Sequence, residues 1–391
     1  MSSPNPEILV WAREQAGLSL DEAARKLAIS SKRLPPADVL KEYEDGIQVP
    51  TRNRLLDMAK QYHRSYITFF LNKPPLVAQK GEDFRTLPET EHQEHSGIIE
   101  ALVRDIYVRQ SLVKEALVDA DEAEEISFVG SGSNLPAVQK ACQELTHYFG
   151  FDISVYRSKS SPHEAFSYLR DKVEKKGVYV LLIGDLGSYH SSVGTDEFRG
   201  FALADPVAPF VVINNHDSKT AWSFTLLHEL THLWIGKTGI SAQTYDHAIE
   251  KYCNDVASNL LVSKKDIVKI YNDAGSDVTE LLTSISSEMS IHNISGSLIA
   301  YRMYRDGHIS VEVWTELRES LKDLWLAAKH KEKQHQSAGS SGNYYNTMRH
   351  KVGGALVGLV RRSIHDGVLT ETKAGKVLGV SSCSVAQMIG G

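Results

Sequence analysis

Residues 225–234 read TLLHELTHLW, and within them His228-Glu229-Leu230-Thr231-His232 forms an H-E-x-x-H motif. On a helix, positions i and i+4 stand on one face, a turn apart. That spacing lets two imidazoles grip one Zn2+ at about 2.0–2.1 Å. Glu229 then stands beside the metal, placed to take a proton from water. Phe224, Leu226, Leu227, Leu230, Leu233, Trp234 and Ile235 surround the motif with apolar side chains, as a buried helix requires. Asp217 or Ser218 can cap the start of that helix. His228 and His232 are therefore candidate metal ligands, and Glu229 is the candidate catalytic base.

A catalytic zinc takes three protein ligands and leaves the fourth position to water. Downstream, Glu250 opens the stretch EKYCN at 250–254, and on a second helix it could face the metal. Asp246 and His247, a few residues earlier, are rivals for the same place. Asn254 lies one turn beyond Glu250, where it could hydrogen-bond a ligand histidine and orient it. Tyr245 and His247 are candidates for a second donor to the developing oxyanion.

Upstream the periodicity changes. Val178–Ile183 (VYVLLI) is a continuous apolar run of strand type, and Phe198–Leu203 and Pro209–Asn214 are further strand candidates. Phe198, Arg199, Gly200 and Phe201 form the stretch expected to hold an extended peptide by adding it to a sheet edge. Between the strands, 184–197 is small and polar and reads as a surface loop near the cleft mouth. Earlier still, Ile98, Leu102, Ile106, Val113 and Leu117 are spaced for one long amphipathic helix. Leu135–Phe149 reads as a helix ended by Gly150, and Ala165, Leu169 and Val173 mark another ended by Gly177.

Residues 1–75 read as a small all-helical unit. Ile8–Ala16 is stopped by Gly17, and Ser19-Leu20-Asp21-Glu22 is a capping box. Ala37–Tyr43 and a helix carrying Leu55, Leu56 and Ala59 follow, and Pro74-Pro75 closes the unit. The large middle region spans 76–330. Residues 331–343 (KEKQHQSAGSSGN) read as a flexible linker. The segment 344–391 looks helical and is locally basic, with six Lys and Arg against Asp366 and Glu371. Its rhythm, a helix through Ala374, Val377 and Leu378, a turn at Gly379 and then Ser381–Met388, fits a helix-turn-helix. It fits better a helical cap that packs back on the middle region or on a second subunit.

The whole chain has 391 residues, 42% apolar and 24% charged, which excludes a disordered, collagen-like or coiled-coil protein. A net charge of −6 argues against coating nucleic acid over the whole surface, so any such contact must be a local patch. Cys142, Cys253 and Cys383 are few, odd in number and far apart, which fits a reducing compartment. The N-terminus lacks a basic segment followed by an apolar one, and no run of 18 apolar residues is present, so a cytoplasmic chain without a membrane partner is expected.

Three stretches, FRGFALADPVAPFVVINN from Phe198, TLLHELTHLW, and EKYCNDVASNLLV from Glu250, resemble the ImmA/IrrE-type zinc peptidases. Cys253 stands where that family usually has alanine, Val256 where it has phenylalanine, and Ser263 where proline is common. Asp83-Phe84-Arg85-Thr86 resembles the segment that opens the domain in relatives. The resemblance implies an α+β, mostly α chain with a thermolysin-like, zincin-type core around a small sheet. It implies Zn2+ held by His228, His232 and Glu250, with Glu229 as base for peptide-bond hydrolysis. It also implies a protein substrate, a repressor or another regulator, in a stress or mobile-element response.

Residues 12–30 and 43–62 resemble a repressor-type (XRE-like) helix-turn-helix, often fused to this peptidase domain. One departure is the KRLPPAD insertion, where a compact recognition helix usually follows at once. Residues 1–75 carry 11 basic and 9 acidic side chains, and Lys32 and Arg33 are the phosphate contacts on offer. The competing reading is a DNA-binding regulator or antitoxin-like protein, paired with a cognate toxin, whose metal domain is a sensor or docking module. Helix-turn-helix regulators are often dimers, so a second copy is a candidate partner.

Overall fold

A computed structural model describes residues 3–31, 34–74, 96–187, 192–195, 197–236, 247–275, 277–335 and 344–390. It is mostly helical with one three-stranded sheet, as the α+β reading expects. The described residues fall into two compact units. One draws on 1–80, 85–108 and 185–197, and the other on 109–184 and 198–391.

The first unit is built on α1 (Pro6–Gln15), α2 (Leu20–Lys26), α3 (Pro36–Glu44) and α4 (Arg52–Gln61), followed by a 3-10 turn over Tyr66–Phe70. Each start follows from its local chemistry. Asn5 caps α1 through its side chain, and Pro6 supplies the fixed φ of a first helical residue. Ser19 and Glu22 close the capping box of α2. Pro36 opens α3, so the proline-rich insertion is used as a helix start. Ile8, Leu9, Ala12, Ala23, Leu40, Leu55, Met58, Tyr62 and Phe69 fill the core. Inside it, Arg13 meets Glu44 in a two-pronged ion pair at 2.8 and 3.0 Å. Lys32 and Arg33 lie outside the described residues.

The second unit takes in the C-terminal part of α5 (Ser96–Asp119), then α6 (Val138–Phe149), α7 (Ile153–Arg157) and α8 (Pro162–Glu174). Strands β1 (Tyr179–Leu182), β2 (Gly200–Leu203) and β3 (Phe210–Ile213) follow. Then come α9 (Lys219–Ile235), α10 (His247–Leu261), α11 (Lys264–Ala274), α12 (Val278–His292), α13 (Gly296–Arg305) and α14 (Val311–His335). The last four helices are α15 (Tyr344–Val352), α16 (Gly354–His365), α17 (Glu371–Leu378) and α18 (Val385–Ile389).

Three helix boundaries differ from the sequence reading. Helix α6 begins at Val138, not Leu135, because Pro136 bars the residue before it from the right-handed helix, and Leu135 sits at φ 47°. Helix α14 runs on to His335, so the first five residues of the expected linker are helical. They are Lys, Glu and Gln with a single His, good helix formers with no glycine or proline among them. The residues 336–343 lie outside the described ones. In the tail, α18 starts only at Val385, after a 3-10 turn over Ser382–Ser384.

The sheet order is β1-β3-β2, with β1 parallel and β2 antiparallel to β3. Every residue of the three strands is buried, as continuous apolar runs demand. Gln110 of α5 donates to Leu203 and Ala208, which pins both sides of the β2–β3 connection. Lys114 holds Asp205 in that connection at 2.7 Å. Helix α9 packs on β2 and β3, with α8 and α10 beside it, so the motif helix lies against the sheet. Among the described residues, no helix is long and apolar enough to cross a membrane.

Candidate metal centre

Helix α9 is apolar on all sides and is buried from Trp222 to Ile235 save for Phe224. Ser218 occupies its cap position, but its side chain makes no capping bond and turns to the Thr220 hydroxyl at 3.0 Å, while Asp217 accepts from the Ser218 amide. At the other end Gly236, with φ 74°, stops the helix. The freed carbonyls of Leu233 and Trp234 are taken by the amides of Gly130 and Gly132 at 3.0 and 2.7 Å. The C-terminal end of the motif helix is thereby fixed.

The i, i+4 spacing puts the two imidazoles on one face of α9. His228 and His232 face one point, their Nε2 atoms 3.0 Å apart, and both rings are buried. Phe224, one turn earlier, lies against His228 with ring centres 6.1 Å apart.

Glu250 comes from the first turn of α10. Its Oε2 lies 3.3 Å from His228 Nε2 and its Oε1 lies 3.2 Å from His232 Nε2. Two anchors downstream hold α10 in place. The Tyr252 hydroxyl donates to the Pro136 carbonyl at 2.7 Å. Burial pushes that hydroxyl up to about 12, helped by the neighbouring Cys253 and Cys142 thiols, so it remains a donor. Asp255 is gripped by Arg305 from α13, with the Tyr301 hydroxyl donating to it as well.

Among the described residues, His228, His232 and Glu250 are the group whose donor atoms could hold a metal ion, all within 4.8 Å of one another. A tetrahedral ion with bonds of about 2.0–2.1 Å sets its ligand atoms about 3.3–3.4 Å apart. The imidazole nitrogens, 3.0 Å apart, lie a little inside that separation, and each is 3.2–3.3 Å from one oxygen of the Glu250 carboxylate. Two imidazoles and one carboxylate are also a donor set that catalytic zinc takes.

Glu229 is buried and sits beside Gly200 of β2. A Cβ on Gly200 would meet Thr225 Cγ2 at 2.6 Å, the Val212 carbonyl at 2.9 Å and Glu229 Oε1 at 3.1 Å. Only the smallest residue lets β2 approach α9 this closely. The substitution Gly200→Val is therefore expected to cost about 1–3 kcal/mol of stability through overpacking, read as a lower melting temperature. An unchanged melting temperature would show that the strand gives way easily.

Of the four candidate strand residues, Gly200 and Phe201 lie in β2, whereas Phe198 and Arg199 precede its first paired residue. Their carbonyls still bond toward β3, to the Asn214 side chain at 3.1 Å and the Asn214 amide at 2.8 Å. Phe198 and Phe201 are buried in the core, and Arg199 is exposed with Asp217 4.0 Å away. Among the described residues β2 pairs with β3 alone, which leaves its other edge without a strand.

Asn254 departs from expectation. It is half-buried on α10 and, among the described residues, makes no hydrogen bond to either histidine. It follows Glu250 by one turn, but its neighbours Tyr252 and Asp255 carry the contacts that fix the helix. Tyr245 and Asp246 lie outside the described residues, as does the side chain of His247. The role of Gly200 was missed because nothing local marks it; it depends on an approach between distant segments.

A buried H-E-x-x-H helix, joined by an acid from the following helix and backed by a short sheet, defines a metallopeptidase-like centre. In keeping with that class, residues 174–295 match the family model described as the IrrE N-terminal-like domain, a peptidase family. The matched stretch holds all three strands and both helices of the site. No curated protein and no solved structure matches the chain.

Proposed function

We propose that the chain is a zinc-dependent endopeptidase that acts on a regulatory protein. The observation that carries this reading is the convergence of the donor atoms of His228, His232 and Glu250 within 4.8 Å of one another, with Glu229 next to His228 on the same helix. Zinc in such a site supplies a Lewis acid that polarises a carbonyl and acidifies a water. The Glu229 carboxylate takes the proton from the attacking water and hands it to the amine that leaves. Its burial beside Gly200 keeps it close to whatever lies along β2. An extended peptide seated on the free edge of β2 brings its backbone past Glu229. The helical first unit supports a repressor-type helix-turn-helix reading, with α2 packed on α3, and its partner is DNA or the regulator itself.

The test uses the full chain, zinc-loaded, against an unfolded protein and a mixed peptide library. Cleavage is expected that stops on chelation and returns with zinc. Cleavage unaffected by chelation, or none against the library or against proteins encoded beside this one, would remove the peptidase reading.

A further inference from the structure

Within the second unit, the C-terminal helices sit on α8 and β1 through a set of contacts that the metal centre does not use. Arg170 of α8 is almost fully buried, and its guanidinium reaches four acceptors. It donates to Glu174, to the carbonyls of His350 and Lys351 in α15, and to the Val180 carbonyl of β1. Glu174 in turn accepts from the Ala355 amide at 3.0 Å. Gly353 fits between them. It has φ 88°, and a Cβ there would fall 2.1 Å from Glu174 Oε1, so no other residue passes this point without moving the pair.

Next to this grip, two imidazoles meet. His163 of α8 and His350 of α15 stack with ring centres 4.7 Å apart and Nε2 atoms 2.8 Å apart. A bond of that length between two ring nitrogens needs one donor and one lone pair, hence at most one shared proton. Trp222 of the motif helix α9 lies 6.4 Å from the His163 ring and 6.3 Å from the His350 ring.

We propose that residues 344–390 form a pH-sensitive clasp. It stays seated on α8 and β1 while the His163–His350 pair carries at most one proton, and it releases when both rings are charged.

The surroundings favour the uncharged pair. From α8 come Arg170, already neutralised by Glu174, and Glu164, which is exposed and held by Ser160. From α9 comes Lys219, and on α15 His350 is flanked by Arg349 and Lys351. Of these, Arg170 and Lys219 bear on both rings and disfavour a second proton there, while Arg349 turns to the carbonyls of Gln387 and Met388. Burial first, then Arg170, His163 and Lys219, hold His350 down to about 4. Burial and Lys219 lower His163 as well.

The sign follows by linkage. A released His350 regains its ordinary value near 6.5, above the seated value. Seating is thus fully favoured above about pH 6.5 and weakens as pH falls toward about 4. With discount for partial exposure, the seating constant should drop at least about tenfold between pH 8 and pH 5.

The Ala355 amide is the natural reporter. It lies in the first turn of α16, where helices leave amides without partners, and its bond crosses the clasp to Glu174. Hydrogen exchange on the full chain, expressed as protection relative to the intrinsic rate, should show Ala355 losing at least about tenfold from pH 8 to pH 5. The Val211–Ile213 amides in β3 should hold their protection over the same range. His350→Gln, which keeps a hydrogen-bonding amide but cannot titrate, should cut the Ala355 slope to less than about twofold. Three results would overturn the clasp: flat protection at Ala355 in the unaltered chain, a full slope persisting in His350→Gln, or parallel loss in β3, which would mark general acid unfolding.

Discussion

Glu229→Gln is expected to leave the metal in place and to slow peptide hydrolysis by about 10^2–10^4-fold, the usual share of a positioned proton carrier. Glutamine has nearly the same shape and keeps the contact with Gly200, so the buried side chain has no reason to move. What it loses is a site that can hold a proton in transit. His228, His232 and Glu250 are untouched, and the zinc content of the variant should equal that of the parent chain. Elemental analysis and a cleavage assay on the same preparation give both readings. Full activity in a zinc-loaded Glu229→Gln chain would assign the proton transfer to another group. Loss of activity together with loss of zinc would mean that Glu229 is needed to build the site.

The second large effect is expected at the ligands. In His228→Ala one of three donors is gone, and Glu250 and His232, 3.2 Å apart, are left to hold a cation between them. Changes to groups that merely support a ligand weaken metal binding by about 10–100-fold, so removal of a ligand should exceed that range. Zinc per chain should fall well below one after equilibration against a weak chelator. Because a metal bound only to the folded state stabilises it, the variant should also lose the rise in melting temperature that added zinc gives the parent. A full complement of zinc in His228→Ala would take this residue out of the site.

Legibility in the sequence follows the range of the interaction. The pair His228 and His232 is set by one turn of a helix, and the apolar run around it announces a buried helix; both were readable because nothing beyond ten residues was needed. Glu250 was readable as one of three acidic or imidazole candidates, and the packing of α10 on α9, which no local rule contains, puts its carboxylate against both imidazoles. Asn254 shows the converse. Helical spacing placed it a turn beyond Glu250, yet it makes no bond to either histidine, and the anchors fall to Tyr252 and Asp255 through partners at 136 and 301–305. The strands were found from their apolar runs, each trimmed by a residue or two at its ends, where pairing and not composition sets the limit. Gly200 and the Arg170–Glu174–Gly353 grip left no local trace, since each depends on a close approach between segments far apart in the chain.

The treatment of the two margins of the sheet has a further meaning. The Tyr179 and Ile183 amides bond to β3, so Val180, out of phase with them, turns its carbonyl outward, where Arg170 meets it and α15 lies alongside. A sheet border with bare amides and carbonyls is a template for any passing chain, including another copy of itself. The carboxyl-terminal helices are therefore no spare appendage but a guard rail: a shortened molecule would leave that border to α8 and Arg170 alone, and copies could zip together there side by side.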